Sequence, residues 1–443
     1  MDLSKVHKAF FVGIGGIGIS AIARMMILEG KAVSGSDIAE NEMVRELRSL
    51  GADIVIGQSF DLIPKDVDLV VYTIAIKHYD LPLYEKILAS GVIAKSYPEM
   101  LSLVTAGKYT IAVAGTHGKT TTTAMIAKIL IDAKRDPSVI VGSLLKEYKS
   151  NLIVGKSEPA RMDDGRPGGY FVVEACEYER SFLNINPTIL VITNIEADHL
   201  DYYKDLADIE NAFAQLVGQT KSVVICNPAD ISTAVLVQQY TGKIVDYTEC
   251  LDRVPTLAVP GKHNRLDAAC ALAVADVLGI NELESKKALQ SFAGTWRRLD
   301  KRGATKNGTI IYDDYAHHPT EIRASLEALR ELYPKGAKKI HVIFQPHLYS
   351  RTKALWDEFV TAFDEADTVA LLPIYFAREV PDPNVTSAKL QQAIQAHRGG
   401  AESLEDFAQA DQYVLGLNLG ENDVLVTMGA GEAYKVGDVL LTV

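Results

Sequence analysis

Short runs of β-branched and aromatic residues alternate with amphipathic stretches along the first 105 residues of the chain. Apolar runs end at Val12, Val33 and Tyr72, and glycine, serine or threonine follows each of them. Strands that alternate with helical stretches are typical of βαβ units, in which parallel strands form a sheet covered by helices. The pattern therefore predicts an α/β domain over residues 1–105.

The same rhythm begins again at two later points. A strand is predicted over Tyr109–Ala114, and a second α/β unit follows it to about residue 294. A third unit begins near Trp296, with predicted strands at 309–312, 340–344, 368–372 and 424–427. Glycine, proline and charged residues over 155–169 predict an exposed loop.

These breaks divide the chain into three predicted α/β domains, at 1–105, 106–294 and 295–443. The chain has 443 residues, and roughly 150 residues per domain also gives about three. Hydrophobic residues make up 48% and charged residues 23% of the chain, which excludes a disordered or fibrous protein.

Charge and cysteine content indicate which kinds of binding partner and which cellular compartment to expect. The net charge of −12 excludes nucleic acid as an expected partner, because phosphate binding needs clustered Lys and Arg. The four cysteines form no CxxC pair, so neither structural zinc nor a disulfide framework is expected. The apolar stretch 9–28 has the length of a signal peptide, but glycines and Arg24 interrupt it. We expect a cytoplasmic protein without membrane insertion, as a monomer or homodimer.

The most informative motif is Gly115-Thr-His-Gly-Lys-Thr, which lies between the strand ending at Ala114 and a helical run over 124–133. Glycines let such a loop curl so that backbone N–H groups surround a phosphate at the helix N-terminus. Lys119 is then expected at the β/γ-phosphates and the Thr120 hydroxyl on Mg²⁺. The loop is shorter than the strict pattern, since Val113 stands where that pattern has glycine. The alternative is a glycine-rich turn with an incidental lysine.

Acidic residues follow two later apolar runs. Glu174 comes after the run at 171–173, and Glu196, Asp198 and His199 come after the run at 189–192. Ligands gather at the carboxyl ends of parallel strands, and carboxylates suit Mg²⁺. We therefore take Glu174 and His199 as metal candidates. The alternatives are a solvated acid and a polar loop that caps a helix.

A second glycine pattern lies at the N-terminus, where Gly13, Gly15 and Gly18 follow a strand and Asp37 lies about twenty residues further on. This fingerprint is typical of Rossmann-like dinucleotide-binding domains. By itself it indicates an NAD-dependent oxidoreductase, but a UDP-sugar diphosphate has the same requirement for backbone N–H groups.

Candidate residues of the third unit lie near its start and after its strands. Adjacent histidines at 317 and 318 precede Pro319, and such a pair indicates substrate positioning or proton transfer. Arg298 lies at the domain boundary, where an arginine can reach a phosphate, or form a surface salt bridge. Asn264 precedes the helical run 268–278, so it is expected to cap that helix or to face a base.

Together these motifs resemble the Mur ligases. The resemblance is carried by Gly115-Thr-His-Gly-Lys-Thr-Thr-Thr, Glu174, Asn194-Ile-Glu-Ala-Asp-His199, Gly261-Lys-His-Asn264, Arg297-Arg298 and Asp313-Asp-Tyr-Ala-His-His-Pro-Thr-Glu. It covers nearly the whole chain and implies a Rossmann-like N-terminal domain, a P-loop ATPase-like central domain and a Rossmann-like C-terminal domain. It also implies that ATP phosphorylates the lactyl carboxylate of UDP-N-acetylmuramate, and that L-alanine then attacks the acyl phosphate, in peptidoglycan precursor synthesis.

The resemblance assigns roles to individual residues. It implies Lys119, His199, His317 and Arg298 as catalytic residues, and Thr120, Glu174 and His199 as metal ligands. The expected ATP-binding residues are Gly115, Thr116, His117, Gly118, Lys119, Thr120, Thr121, Asn264, Arg298 and Asp314. UDP-sugar binding is expected of Gly13, Gly15, Gly16, Gly18, Ser20 and Asp37. Tyr315, His317 and Arg351 are expected to bind the amino acid.

Four positions depart from the family pattern. Asp267 stands where a second asparagine is usual, and an aspartate cannot donate to a purine nitrogen as an asparagine does. The other departures are Cys176 for aspartate, Leu299 for phenylalanine and Leu348 for a polar or basic residue. Three alternative functions stay open: a recycling ligase that attaches a tripeptide to the same sugar nucleotide, an NAD-dependent oxidoreductase, and a non-catalytic nucleotide-binding regulator.

Overall fold

The computed structural model describes residues 1–155, 169–377 and 379–442. Most of the loop predicted over 155–169 therefore lies outside the described residues. The rest of the chain forms three sheets with helices on their faces. This arrangement confirms the predicted α/β class with three domains.

The first sheet has five parallel strands in the order β3-β2-β1-β4-β5. The order in which strands are added to the sheet reverses between β1 and β4. Ligands bind at this point in doubly wound sheets. The strands are β1 Lys8–Val12, β2 Ala32–Asp37, β3 Asp53–Ile56, β4 Leu69–Tyr72 and β5 Ala94–Ser96. The helices are α1 Ile17–Leu28, α2 Glu42–Ser49, α3 Ile76–Tyr79, α4 Leu81–Ala89 and α5 Tyr97–Thr105.

The second sheet has seven strands in the order β12-β11-β10-β6-β9-β7-β8, and only β8 runs antiparallel to its neighbour. Its strands are β6 Tyr109–Ala114, β7 Ser138–Leu145, β8 Ser150–Ile153, β9 Tyr170–Glu174, β10 Ile189–Ile192, β11 Val223–Cys226 and β12 Lys243–Asp246. Its helices are α6 Lys119–Asp132, α7 Leu206–Gln219, α8 Ile231–Val237, α9 Lys262–Val277 and α10 Glu282–Gln290. Because β6 lies between β9 and β10, the loops after these three strands meet at one edge.

The third sheet has six strands in the order β13-β14-β18-β15-β16-β17, and β13 is antiparallel to β14. Its strands are β13 Asp300–Ala304, β14 Ile310–Asp314, β15 Lys339–Phe344, β16 Thr368–Leu371, β17 Ala401–Ser403 and β18 Asp423–Met428. Its helices are α11 Pro319–Leu332, α12 Tyr349–Ala354, α13 Trp356–Thr361, α14 Ser387–Arg398, α15 Phe407–Gly416 and α16 Tyr434–Thr442. Short 3-10 segments lie at Leu3–Lys5, Phe60–Leu62, Tyr178–Asn184 and Tyr247–Arg253.

The first two domains share one apolar core. Side chains of α1 and α5, among them Ile22 and Leu101, belong to the same buried cluster as Phe171 and Leu190 of the second sheet. At the rim of this contact, Arg24 donates to Ser150 Oγ and Asn151 Oδ1, both at 2.6 Å. A continuous apolar core favours a fixed orientation of these two domains, because separating them exposes apolar surface to water.

Two helices begin earlier than the sequence pattern predicts. Helix α6 begins at Lys119, since its first turn is built from four threonines that carry no apolar periodicity. Helix α9 begins at Lys262 with Gly261 as its N-cap, so Asn264 lies inside the first turn. The expectation that Asn264 caps the helix is therefore wrong. Within the described part of the chain, no helix combines the length and apolar character needed to cross a membrane.

Candidate active site

The loop after β6 has the geometry of a phosphate loop. Gly115 and Gly118 adopt φ of 141° and 82°, values that favour glycine, and helix α6 follows directly. The backbone N–H of Thr116 donates to the carbonyl oxygen of Asn194 at 3.0 Å, and the backbone N–H of His117 donates to Asn194 Oδ1 at 2.9 Å. These bonds fix the loop against the end of β10. The positive end of α6 and the loop therefore lie ready for an anion.

Lys119 is held inside this loop by a buried carboxylate. Its Nζ lies 2.9 Å from both oxygens of Glu177 and donates to the carbonyl oxygens of Gly115 and Thr116. His199 Nε2 lies 3.6 Å from the same carboxylate. Burial opposes the charge on Glu177, but Lys119 and His199 outweigh it and hold the pKa of the carboxyl below its usual value.

Thr120 and Glu174 form a pair of oxygen donors at the start of α6. Thr120 Oγ1 donates to Glu174 Oε1 at 3.0 Å, and the other Glu174 oxygen accepts from Gly142 N at 2.7 Å. A hydroxyl and a carboxylate are hard ligands that suit Mg²⁺. His199 adopts a positive φ of 54°, and its Nδ1 is buried without a hydrogen-bond partner among the residues described. The oxygens of Thr120 and Glu174 therefore fit a magnesium ion, and His199 offers that buried nitrogen, without a partner in the described part of the chain, as a third candidate ligand.

A cavity of about 320 Å³ opens beside the loop, between the second and third domains. Helix α9 contributes Asn264 and Asp267 to its wall, and the third domain contributes Arg298 and Asp314. Arg298 Nη2 donates to Thr120 Oγ1 at 3.3 Å. Burial raises the pKa of Asp314 to about 6, although its carboxylate accepts from Ser325 Oγ and Ala316 N. All predicted nucleotide residues of the third domain therefore lie at this cavity.

His117 connects the phosphate loop to the third domain. Its Nδ1 lies 3.1 Å from Glu321 Oε1 and its Nε2 lies 3.5 Å from Glu196 Oε2. Burial opposes the imidazolium, but the two carboxylates outweigh it and raise the pKa of His117 to about 9. The ring is thus charged at neutral pH, and its contact with Glu321 joins the loop to α11.

One further cluster, His117, Glu196 and His318, places a ligand-type atom of each residue within 4.8 Å of the others. Thr320 N donates to His318 Nδ1 at 3.2 Å, and burial lowers the pKa of His318. The neutral ring therefore carries its proton on Nε2 and offers no lone pair there. Together with the charge on His117, this tautomer does not fit a metal site.

The predicted amino-acid residues lie on the other side of His199. Arg351 is buried and donates through Nε to Asp198 Oδ1 at 2.9 Å. His317 Nδ1 lies 2.9 Å from the carbonyl oxygen of Tyr315 and, since a carbonyl only accepts, this nitrogen carries the proton. Burial lowers the pKa of His317 to about 4, so the ring is neutral with a lone pair on Nε2.

The N-terminal glycine loop follows β1. Gly13 adopts a φ of 76°, Gly15 N donates to Asp37 Oδ2 at 2.8 Å, and Gly16 is the N-cap of α1. A side chain at Gly18 would meet the Tyr97 ring at 2.6 Å. Ser20 instead lies at the contact between the first two domains. Its hydroxyl accepts from Asn151 Nδ2 at 3.1 Å.

The structure thus links three of the candidates, Lys119, His199 and Arg351, in one continuous network that runs through Glu177 and Asp198. Glu177 and Glu321 were not among the predicted site residues. Glu177 had a signal, since it follows Glu174 by three residues at the end of a strand. Glu321 had a signal too, since it is the last residue of the motif from Asp313 that contributes to the family resemblance. The ligand roles of all these residues stay predictions.

Comparisons with known proteins cover the whole chain. Residues 8–109, 113–253 and 297–431 match the family models described as "Mur ligase family, catalytic domain", "Mur ligase middle domain" and "Mur ligase, glutamate ligase domain". A UDP-N-acetylmuramate–L-alanine ligase of Clostridium acetobutylicum is 38% identical, over 100% of this chain and 98% of the relative. The ligase of the same name from Lachnospira eligens is 37% identical, over 100% and 99%.

Solved structures agree with these matches. The crystal structure of UDP-N-acetylmuramate-alanine ligase from Thermotoga maritima superposes with a TM-score of 0.78 at 28% identity, over 98% of both chains. A murein peptide ligase from Psychrobacter arcticus has a TM-score of 0.72 at 23% identity, also over 98% of both chains. The second likeness concerns the fold alone.

Proposed function

This chain belongs to the Mur ligase family, and from that premise we propose that it joins L-alanine to the lactyl carboxylate of UDP-N-acetylmuramate, using ATP. Relatives of this name match the chain over its full length at 36–38% identity. The observation that supports the proposal is the chain of ion pairs from Lys119 to Arg351, because it connects a phosphate-binding candidate to an amino-acid-binding candidate.

In the first step, a lactyl carboxylate oxygen attacks the γ-phosphorus of ATP, and the bond to the leaving ADP oxygen breaks. Lys119 and the N-terminus of α6 supply positive charge where the transferring phosphoryl group gains negative charge. Arg298, held against the Tyr315 ring at 5.1 Å, is positioned to contact the same group from the third domain. Mg²⁺ bound by Thr120, Glu174 and His199 would supply further charge neutralisation.

In the second step, the amine of L-alanine attacks the acyl carbon, and phosphate leaves from the tetrahedral intermediate. The attacking nitrogen must lose a proton as the C–N bond forms. His317 Nε2 has the free lone pair to accept it, since Nδ1 is committed to Tyr315 O. Arg351 provides a planar pair of N–H donors for the alanine carboxylate. That carboxylate takes the place of Asp198 on the guanidinium or shares the guanidinium with it.

The UDP part is assigned to the glycine loop after β1. There the backbone N–H groups at the start of α1 suit a diphosphate, and Asp37 holds Gly15 N in place. This assignment leaves the two nucleotides on different domains.

The proposal is tested by phosphate release from purified protein with ATP, Mg²⁺ and UDP-N-acetylmuramate, with and without L-alanine. The expected result is alanine-dependent release and a product heavier by one alanyl residue in mass spectrometry. Lys119→Ala is expected to lose this release. Lys128→Ala is its matched control, because Lys128 lies on the same helix and donates to Asp132 instead. Release that requires the tripeptide L-alanyl-γ-D-glutamyl-meso-diaminopimelate instead would show a recycling ligase and overturn the proposal.

A further inference from the structure

A short turn beside Lys119 and His199 has an unusual backbone. Glu179 and Arg180 adopt φ of 50° and 54°, a left-handed conformation that is unfavourable for residues other than glycine. The N–H of Arg180 donates to the carbonyl oxygen of Glu177 at 2.9 Å and closes the turn. Residues in this conformation persist only where surrounding contacts hold them, and they cluster at functional sites. The contacts of this turn therefore indicate what it does.

The turn directs two side chains into the site described above. Glu177 is 3% exposed and its carboxylate contacts both Lys119 and His199. The centroid of the Tyr178 ring lies 4.9 Å from the centroid of the His199 ring. Because Glu177 and Tyr178 directly precede Glu179, the backbone angles of the turn determine where both side chains point.

The first domain binds this turn through the Glu179 side chain. His78 Nε2 donates to Glu179 Oε1, since a carboxylate only accepts, and Lys77 Nζ lies 3.4 Å from Glu179 Oε2. Both partners belong to α3, which follows β4 at the point where the strand order of the first sheet reverses. The Glu179 side chain is only 11% exposed, so the contact is partly shielded from water and stronger than a contact at the surface.

The second domain holds the next residue of the turn. Arg180 Nη2 donates to Asp208 Oδ1 at 2.5 Å, and the guanidinium lies over the Tyr203 ring, 5.4 Å from its centroid. Asp208 belongs to α7 of the same domain, so this contact does not depend on the first domain. The contact at Glu179, by contrast, joins the turn to the first domain.

We propose that Glu179 is a positioning residue that keeps Glu177 against Lys119 by holding the turn in its left-handed conformation. The inference rests on the proposed function, in which Lys119 stabilises the transferring phosphoryl group. A turn released from the first domain relaxes towards right-handed angles, because these are lower in energy for residues with a side chain. Glu177 then moves, and the ammonium loses the carboxylate that orients it. The first domain, to which the proposed function assigns the UDP part, thereby acts on the chemistry of the second.

The test compares two substitutions that remove the same carboxylate. Glu179→Ala keeps a Cβ, so the left-handed angle stays unfavourable and the turn relaxes. Glu179→Gly adopts a φ of 50° without strain, so the turn keeps its shape although the contact with the first domain is lost. We expect kcat for alanine-dependent phosphate release to fall about tenfold in Glu179→Ala and by about twofold or less in Glu179→Gly. The KM values for ATP and UDP-N-acetylmuramate are expected to stay within about twofold in both variants.

Two further comparisons identify the groups on either side of Glu179. Removing both partners, as Lys77→Ala with His78→Ala, is expected to lower kcat as much as Glu179→Ala does. Lys86→Ala is the control, because Lys86 is an exposed lysine on α4 of the same domain, and its kcat is expected to equal that of the wild type. In a Glu177→Gln background, Glu179→Ala is expected to change kcat by less than about twofold, since the group that it positions is already altered.

Equal losses of kcat in Glu179→Ala and Glu179→Gly would overturn the inference, as would effects of Glu177→Gln and Glu179→Ala that multiply in full. Urea unfolding of each variant separates lost turnover from lost folding. If Glu179→Ala folds poorly, the variant that lacks both partners decides the question, because it leaves the sequence of the turn intact and wild-type kcat in it would also overturn the inference. All these outcomes leave alanine-dependent release by the wild type intact. A wild type without that release would overturn the proposed function and the inference together.

Discussion

Lys119 Nζ lies 2.9 Å from both carboxylate oxygens of Glu177, and this buried ion pair is the centre of the site. Burial opposes the charge of the ammonium, but Glu177 outweighs it and raises the pKa of Lys119. The lysine therefore stays charged in a place where water is largely excluded. A phosphate that enters the loop offers the same ammonium a second anionic partner.

Lys119→Ala is expected to abolish ATP turnover while UDP-sugar binding persists. The physical reason is that the ammonium lies in the phosphate loop of the second domain, whereas the glycine loop lies at β1 of the first. Calorimetric titration with UDP-N-acetylmuramate checks the second part. A variant that loses affinity for the sugar nucleotide would contradict the assignment of the two nucleotides to separate domains.

Glu177→Gln is expected to lower the free energy of unfolding by about 3 kcal/mol, because it leaves the buried Lys119 without its counter-charge. Urea unfolding of the wild type and the variant measures this difference. Asp66→Asn is the control, since its ion pair with Lys8 is exposed and such pairs contribute less than about 1 kcal/mol. Equal losses of unfolding free energy in the two variants would show that the buried Lys119–Glu177 pair stabilises the fold no more than an exposed pair does.

His117→Gln is expected to lower the melting temperature more at pH 6.5 than above pH 9. The folded state raises the pKa of His117 from 6.5 to about 9, so its stabilising contribution is complete below 6.5 and is lost as pH rises through about 9. Scanning calorimetry across this range gives the difference from the wild type. His397→Gln, which removes an exposed pair with Asp364, should show little difference at any pH. A difference for His117→Gln that does not change with pH would contradict the charged bridge to Glu321 and Glu196.

Arg298→Lys is expected to lower kcat by a factor of about 10² while the KM for UDP-N-acetylmuramate stays within about twofold. The guanidinium lies over the Tyr315 ring and reaches Thr120 across the domain contact, and a lysine has neither the planar face nor the fixed fork of N–H donors. Steady-state kinetics with purified protein separates the two parameters. A change confined to KM would place Arg298 in substrate binding rather than in phosphoryl transfer.

Local patterns predicted much of the site. The phosphate loop required only neighbouring residues, since the strand β6, the glycines and Lys119 follow one another along the chain. The strand-end acid Glu174 was predicted for the same reason. Helix starts were predicted less well, because the four threonines of α6 and the polar first turn of α9 carry no apolar periodicity. For Asn264 the sequence left capping and contact with a base open, and the structure excludes capping because Gly261 is the N-cap.

By itself the sequence determined which segments form strands, helices and glycine loops, because φ preferences and apolar periodicity act over a few residues. It therefore determined the three α/β domains, the phosphate loop and the resemblance to the family. Only the tertiary structure decided that Arg298 reaches Thr120 and that His117 meets Glu321, which are 178 and 204 residues apart. It also decided that Asp267 and Arg298, from different domains, line the same cavity. These relationships depend on how buried faces pack against one another. Apolar periodicity predicts which face of a helix or strand is buried, but not which element covers it.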